Sequence, residues 1–88
     1  GMYVLAEDLH LQRMVSELVI GVQRTENLVI IKAQPGTALG IAAAIDAAEL
    51  PDVLGSLAGN DTILVITRTA SDGEQFELMI GKLRSVRK

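Results

Sequence analysis

Cysteine and tryptophan are absent from this chain of 88 residues, and phenylalanine, tyrosine and histidine occur once each. Without cysteine there is no disulfide framework and no thiolate to attack a substrate or hold a metal, and a cytoplasmic location fits. No apolar run approaches the roughly 20 residues that cross a bilayer, and no signal peptide is visible, so a membrane partner is not expected. Basic charge is scarce too. The net charge is −3, with 8 basic against 11 acidic side chains. Binding nucleic acid through this chain alone would need a basic stripe, and there is none. The basic cluster that does exist, Lys82, Arg84, Arg87 and Lys88, reads as a solvated helix end favoured by the helix dipole.

What the chain has in excess is aliphatic surface. Hydrophobic residues make up 49% of it and aromatic ones only 2%. A domain of this size buries only roughly 60 to 65% of the surface of its unfolded chain, so its core is thin. Surplus of this kind ordinarily ends against another copy of the chain.

Residues 1–12 lack a clean period and read as a linker or arm, leaving residues 13–88 as one domain. "ELVIGVQRTENLVIIKAQ" contains two strand-like runs around Arg24-Thr25-Glu26-Asn27, a hairpin signal. Leu18, Ile20 and Val22 share one face of the first strand. In the second, Leu28 and Ile30 lie on one face and Val29, Ile31 and Ala33 on the other. Both faces are apolar, whereas a hairpin usually keeps one face wet.

Pro35-Gly36-Thr37 ends the hairpin, with Thr37 placed as an N-cap. "ALGIAAAIDAAEL" follows as a helix running to Leu50-Pro51. Its core stripe is Ala38, Ile41, Ala42 and Ile45, and a second stripe is Leu39, Ala43 and Asp46. Strands are expected at Val53–Ala58 and Thr62–Thr67, joined by Gly59-Asn60-Asp61. Ser71-x-x-Glu74 has the spacing of a capping box, and Phe76, Met79, Ile80, Leu83 and Val86 follow as the core stripe of a last helix. The expected class is α+β, a two-layer α/β sandwich in the order ββαββα. A four-stranded antiparallel sheet carries two helices on one face, and its other face and edges are free for self-association.

Catalytic equipment is poor, and an enzyme is not expected. His10 lies in the arm, Ser56 has no base suggested by the sequence, and no metal cluster, phosphate-cradling loop or nucleophile elbow is present. Most carboxylates sit in arms, turns or helix starts, where solvation or capping explains them. Asp46 rides an otherwise apolar helix and Asp61 sits between two apolar strands. Turn chemistry accounts for Asn60-Asp61 by itself, and a solvent-facing helix residue accounts for Asp46. The joint alternative is that both acceptors converge on a cationic small molecule whose carboxylate meets turn N–H groups.

"LGSLAGNDTILVI", with "PGTALGIAAAID" upstream, resembles the C-terminal domain of bacterial arginine repressors. The resemblance extends from the hairpin "ELVIGVQRTENLVIIK" to the last helix. The family's Gly-Thr/Ser-x-Ala-Gly-Asp-Asp-Thr stretch reads here Gly55-Ser56-Leu57-Ala58-Gly59-Asn60-Asp61-Thr62. The resemblance implies a transcriptional regulator of arginine metabolism whose winged-helix DNA-binding domain lies outside this chain and makes the operator contacts. It also implies self-assembly as a dimer of trimers, a hexamer, with L-arginine as effector between the trimers and no cofactor. Carried over residue by residue, Asp46, Ser56, Ala58, Asn60 and Asp61 fall on positions that line the arginine pocket. Two positions depart from the family: Asn60 stands where an aspartate is usual, and Leu39 where glutamine is common. The alternative is therefore a structural oligomerisation module with weakened or altered effector specificity.

Overall fold

A computed structural model describes residues 6–85 of the chain. The elements are α1 (Ala6–Leu18), β1 (Val19–Thr25), β2 (Leu28–Ala33), α2 (Ala38–Ala47), β3 (Val53–Ala58), β4 (Thr62–Thr67) and α3 (Ala70–Ser85). All strand pairs are antiparallel and the order across the sheet is β1-β2-β4-β3. From β1 onward this is the expected ββαββα order in an α+β domain. The addition is α1.

The arm expected over residues 1–12 is helical from Ala6, while residues 1–5 lie outside the described residues, as do Val86, Arg87 and Lys88. Leu11, Met14, Val15 and Leu18 recur at spacings of three and four, which puts them on one face of a helix. Leu11 and Val15 are fully buried and Met14 and Leu18 pack against the core, where α1 rests on α2 and α3. Two helices, α2 and α3, thus lie on the sheet as expected, and α1 packs against both of them.

Alternation divides the strands between two faces. Val29, Ile31 and Ala33 of β2 and Ile63 and Val65 of β4 are buried beneath the helices, against Ile41 and Ile45 of α2 and Phe76 and Ile80 of α3. Leu28, Ile30, Leu64 and Ile66 lie on the opposite face and are half-buried, largely by one another. Leu57, opposite Leu64, extends this apolar face to the sheet edge and is 66% exposed. A sheet with one helix-covered and one bare apolar face is what the two-sided hairpin pattern required.

Both edge strands carry a register irregularity, at Val19/Gly21 in β1 and at Val53/Gly55 in β3. An extra residue resets the alternation. For that reason Leu18, Ile20 and Val22 do not share a face as the period of two predicted. Leu18 ends α1, Ile20 is 54% exposed, and Val22 faces the helices opposite Ile31. Leu54 is turned out in the same way at the β3 bulge.

The caps also differ in detail. Thr37 is the N-cap of α2 by position, but its hydroxyl donates to the Gln34 carbonyl at 2.7 Å instead of accepting from the helix. The first helical N–H is served from outside: Ala38 N donates to the Asn60 carbonyl at 3.3 Å, as does Gly36 N just before the cap at 3.0 Å. In α3 the cap lies two residues before Ser71. Thr69 Oγ1 accepts from Asp72 N at 3.0 Å, so Thr69 caps the helix in place of the expected Ser71-x-x-Glu74 box. The β1–β2 turn is locked to this corner. Thr67 N and the Asn27 amide exchange bonds with the Asn27 and Thr67 carbonyls at 2.9 and 3.0 Å, and Gly73 lets α3 approach so closely that a Cβ there would sit 2.8 Å from the Glu26 oxygen.

Helix α2 ends through Glu49, which adopts φ 51. A side chain in the left-handed region costs about 1–2 kcal/mol, and glycine is the residue that tolerates this position. Glu49→Gly is expected to stabilise the fold by about 0.5–1 kcal/mol, offset in part by the greater freedom of glycine in the unfolded chain. Urea denaturation of both proteins checks it, with the midpoint rising at unchanged slope.

Candidate functional site

Four of the five residues proposed for ligand contact fall into two groups tied to opposite ends of α2. Asp46 occupies the last turn of the helix on its exposed stripe, together with Leu39 and Ala43. Ser56 lies on β3, and its hydroxyl points to Asp46 Oδ1 at 3.4 Å, a long and weak hydrogen bond. Asp46 also lines an open groove with Glu49, Leu50, Val53 and Gly55. The groove thus holds two carboxylates, three positions apart.

Asn60 and Asp61 form the β3–β4 turn, which docks on the other end of α2 through the Asn60 carbonyl. The Asp61 carbonyl accepts from Ala33 N at 2.8 Å and Gly59 N donates to the Thr62 carbonyl at 2.9 Å, so the turn backbone is fixed on both sides. The Asn60 side chain is exposed and takes no part in these bonds. Ala58 sits between the two groups on β3, half-buried against Ile63. At a rise of about 1.5 Å per residue, Ala38 and Asp46 are about 12 Å apart along the helix axis. One chain therefore brings Asp46 to Ser56 and Asn60 to Asp61, but does not bring the two pairs together.

Two charged residues join the site that the spacing of motifs did not suggest. Glu49 is one; its place three residues after Asp46 was the available signal. Lys32 is the other. It lies opposite Thr62 in the β2–β4 ladder, and its Nζ donates to Thr62 Oγ1 at 2.8 Å. Thr62 Oγ1 in turn donates to Asp61 Oδ1 at 3.0 Å, with Lys32 Nζ 3.9 Å from the same oxygen. The pairing depends on strand register, which no local motif reveals. Among the described residues, no group of three or more His, Asp and Glu side chains is placed to hold a metal ion, and no helix is long and apolar enough to cross a membrane.

This arrangement offers separated anionic acceptors, backbone N–H and carbonyl groups at a pinned turn, and a bare apolar sheet face nearby. Such groups can hold a small polar ligand by charge and hydrogen bonding.

Comparison with known proteins agrees with the resemblance. Residues 15–82 match the family "Arginine repressor, C-terminal domain". The arginine repressor of Symbiobacterium thermophilum is 43% identical over 74 residues, covering 83% of this chain and 49% of that protein. That of Carboxydothermus hydrogenoformans is 42% identical over 72 residues, covering 82% of this chain and 46% of that protein. The arginine repressor of Syntrophomonas wolfei is 41% identical over 76 residues, covering 82% and 50% respectively. The chain thus spans about half the length of the curated relatives it matches. With the family's stretch placed on the β3–β4 turn and most of the domain matched, the chain belongs to the family of arginine repressor C-terminal domains.

Proposed function

We propose that this domain is the assembly and effector-binding module of an arginine-responsive transcriptional regulator. L-arginine, or a closely related amino acid, binds between copies of the chain, and the copies associate as trimers and as a hexamer of two trimers. The observation that carries this reading is the split of the polar residues. Asp46 and Ser56 sit at one end of α2 and Asn60 and Asp61 at the other, so each end offers polar groups that neighbouring copies can combine around one ligand. The bare face of Leu28, Ile30, Leu57, Leu64 and Ile66 supports association independently. Light scattering at micromolar concentration is expected to give an assembly of three or six copies, and a stable monomer with or without L-arginine would remove the reading.

Operator contacts belong to a DNA-binding domain beyond this chain. The net charge of −3 leaves this domain without the phosphate-neutralising surface that DNA affinity needs. A gel shift with the domain alone at moderate salt is expected to show no specific complex, with L-arginine present or absent.

The second reading, an assembly module with weakened or altered effector specificity, rests on two residues. Asn60 brings no charge to the turn, and Leu39 presents an apolar side chain, 70% exposed, on the stripe that carries Asp46. Titration calorimetry separates the two: heat on adding L-arginine supports the first, and assembly without heat supports the second.

A further inference from the structure

We propose that Lys32 is a specificity-determining residue of the effector site: a built-in counter-ion that competes with a cationic effector for Asp61. The inference rests on the reading of the β3–β4 turn as part of that site. Because Asn60 is neutral, Asp61 is the one carboxylate of the turn. Its Oδ1 is already engaged, accepting from the Thr62 hydroxyl at 3.0 Å and lying 3.9 Å from the Lys32 ammonium. A hydroxyl has one proton to give and can accept as well. With Lys32 donating to Thr62 Oγ1 at 2.8 Å, the Thr62 proton is directed at Asp61, so the ammonium acts on this carboxylate both directly and through the hydroxyl.

A guanidinium arriving at Asp61 meets a carboxylate whose negative potential is partly cancelled and one of whose oxygens is occupied. A neutral ureido group does not pay this electrostatic penalty, since it competes with Lys32 for hydrogen bonds but not for charge. Lys32 therefore narrows the preference for arginine over neutral analogues such as citrulline. Both side chains are about half exposed in the single chain, at 50% for Lys32 and 47% for Asp61, where water screens the pair. Association that covers the turn would remove that screening and strengthen the effect.

The test is titration calorimetry of L-arginine and citrulline on the wild-type domain, Lys32→Gln, Asn60→Asp and the double variant, with Lys32→Arg as the charge-conserving control. Lys32→Gln is expected to tighten L-arginine by about three- to fivefold and to leave citrulline unchanged. Lys32→Arg should stay close to wild type. The gain should shrink as salt is raised and vanish in an Asp61→Asn background. Equal gains for both ligands, or no gain for L-arginine on a protein that binds it, overturn the role of Lys32 while leaving the site itself in place. If none of the proteins binds L-arginine, the reading of the turn as an effector site fails and the proposal with it.

Discussion

Asn60→Asp is expected to tighten L-arginine binding by about 1–2 kcal/mol, roughly five- to thirtyfold. A guanidinium spreads its charge over a planar fork, and a carboxylate accepts two parallel N–H bonds from it. Asn60 offers one acceptor oxygen, and its NH₂ group opposes donors with donors. The substitution leaves the turn intact, because the Asn60 backbone carbonyl and not its side chain holds Gly36 and Ala38. Two side effects can be separated from the gain. A new carboxylate beside the N-terminus of α2 is favoured by the helix dipole, by about 0.3–1 kcal/mol, with or without ligand. Where pockets meet between copies, added carboxylates repel one another until a cation arrives. The effect of interest is therefore the arginine-dependent part, read as a larger rise in the stability of the assembly on adding L-arginine. Calorimetry showing tight binding by the wild type and no change on Asn60→Asp would reduce Asn60 to a turn residue.

Leu64→Asp is expected to abolish assembly while the domain stays folded. Leu64 lies between Ile30 and Leu57 in the middle of the bare sheet face. A carboxylate buried there without a partner costs several kcal/mol in the assembly, whereas in the single chain it can reach water. Losing a hot-spot side chain near the centre of an interface costs about 2 kcal/mol or more, so weakening of about thirtyfold is the expected scale if Leu64 is one. Leu57→Asp at the edge strand, where the side chain is already 66% exposed, gives a second variant with less risk to the fold. Light scattering should report smaller species for both, with circular dichroism unchanged. Full assembly by both variants would place the interface elsewhere.

Much of the fold was legible because hydrophobic periods are local. The β4 boundaries, the α2 core stripe and the division of β2 into two apolar faces all follow from spacings of two or three to four residues. Helix α1 was missed because its stripe, Leu11 to Leu18, runs directly into the apolar Val19 and Ile20, and the join reads as the start of a strand. The bulges that turn Ile20 and Leu54 outward fall at the isolated strand glycines Gly21 and Gly55, a signal that the period of two overrides. Caps shifted for a related reason: several hydroxyls compete at each helix start, and tertiary contacts such as Asn60 with α2 decide among them.

The candidate site was legible by residue type but not by arrangement. Asp46 and Asp61 stood out as carboxylates in apolar surroundings, yet nothing local indicates that Asp46 meets Ser56 and Asp61 meets Lys32. Those neighbours are set by the packing of α2 on β3 and by the β2–β4 register, which are long-range properties. The separation of the two pairs along α2 is likewise visible only in the folded chain.

In the proposed site effector and assembly are coupled, because the ligand would bind between copies. Sedimentation velocity of the wild-type domain over a range of concentrations, with and without saturating L-arginine, tests it most directly. The predicted result is an assembly of three or six copies whose dissociation shifts to lower protein concentration when L-arginine is added. A distribution of species that L-arginine leaves unchanged, in a protein that calorimetry shows to bind it, would contradict the claim.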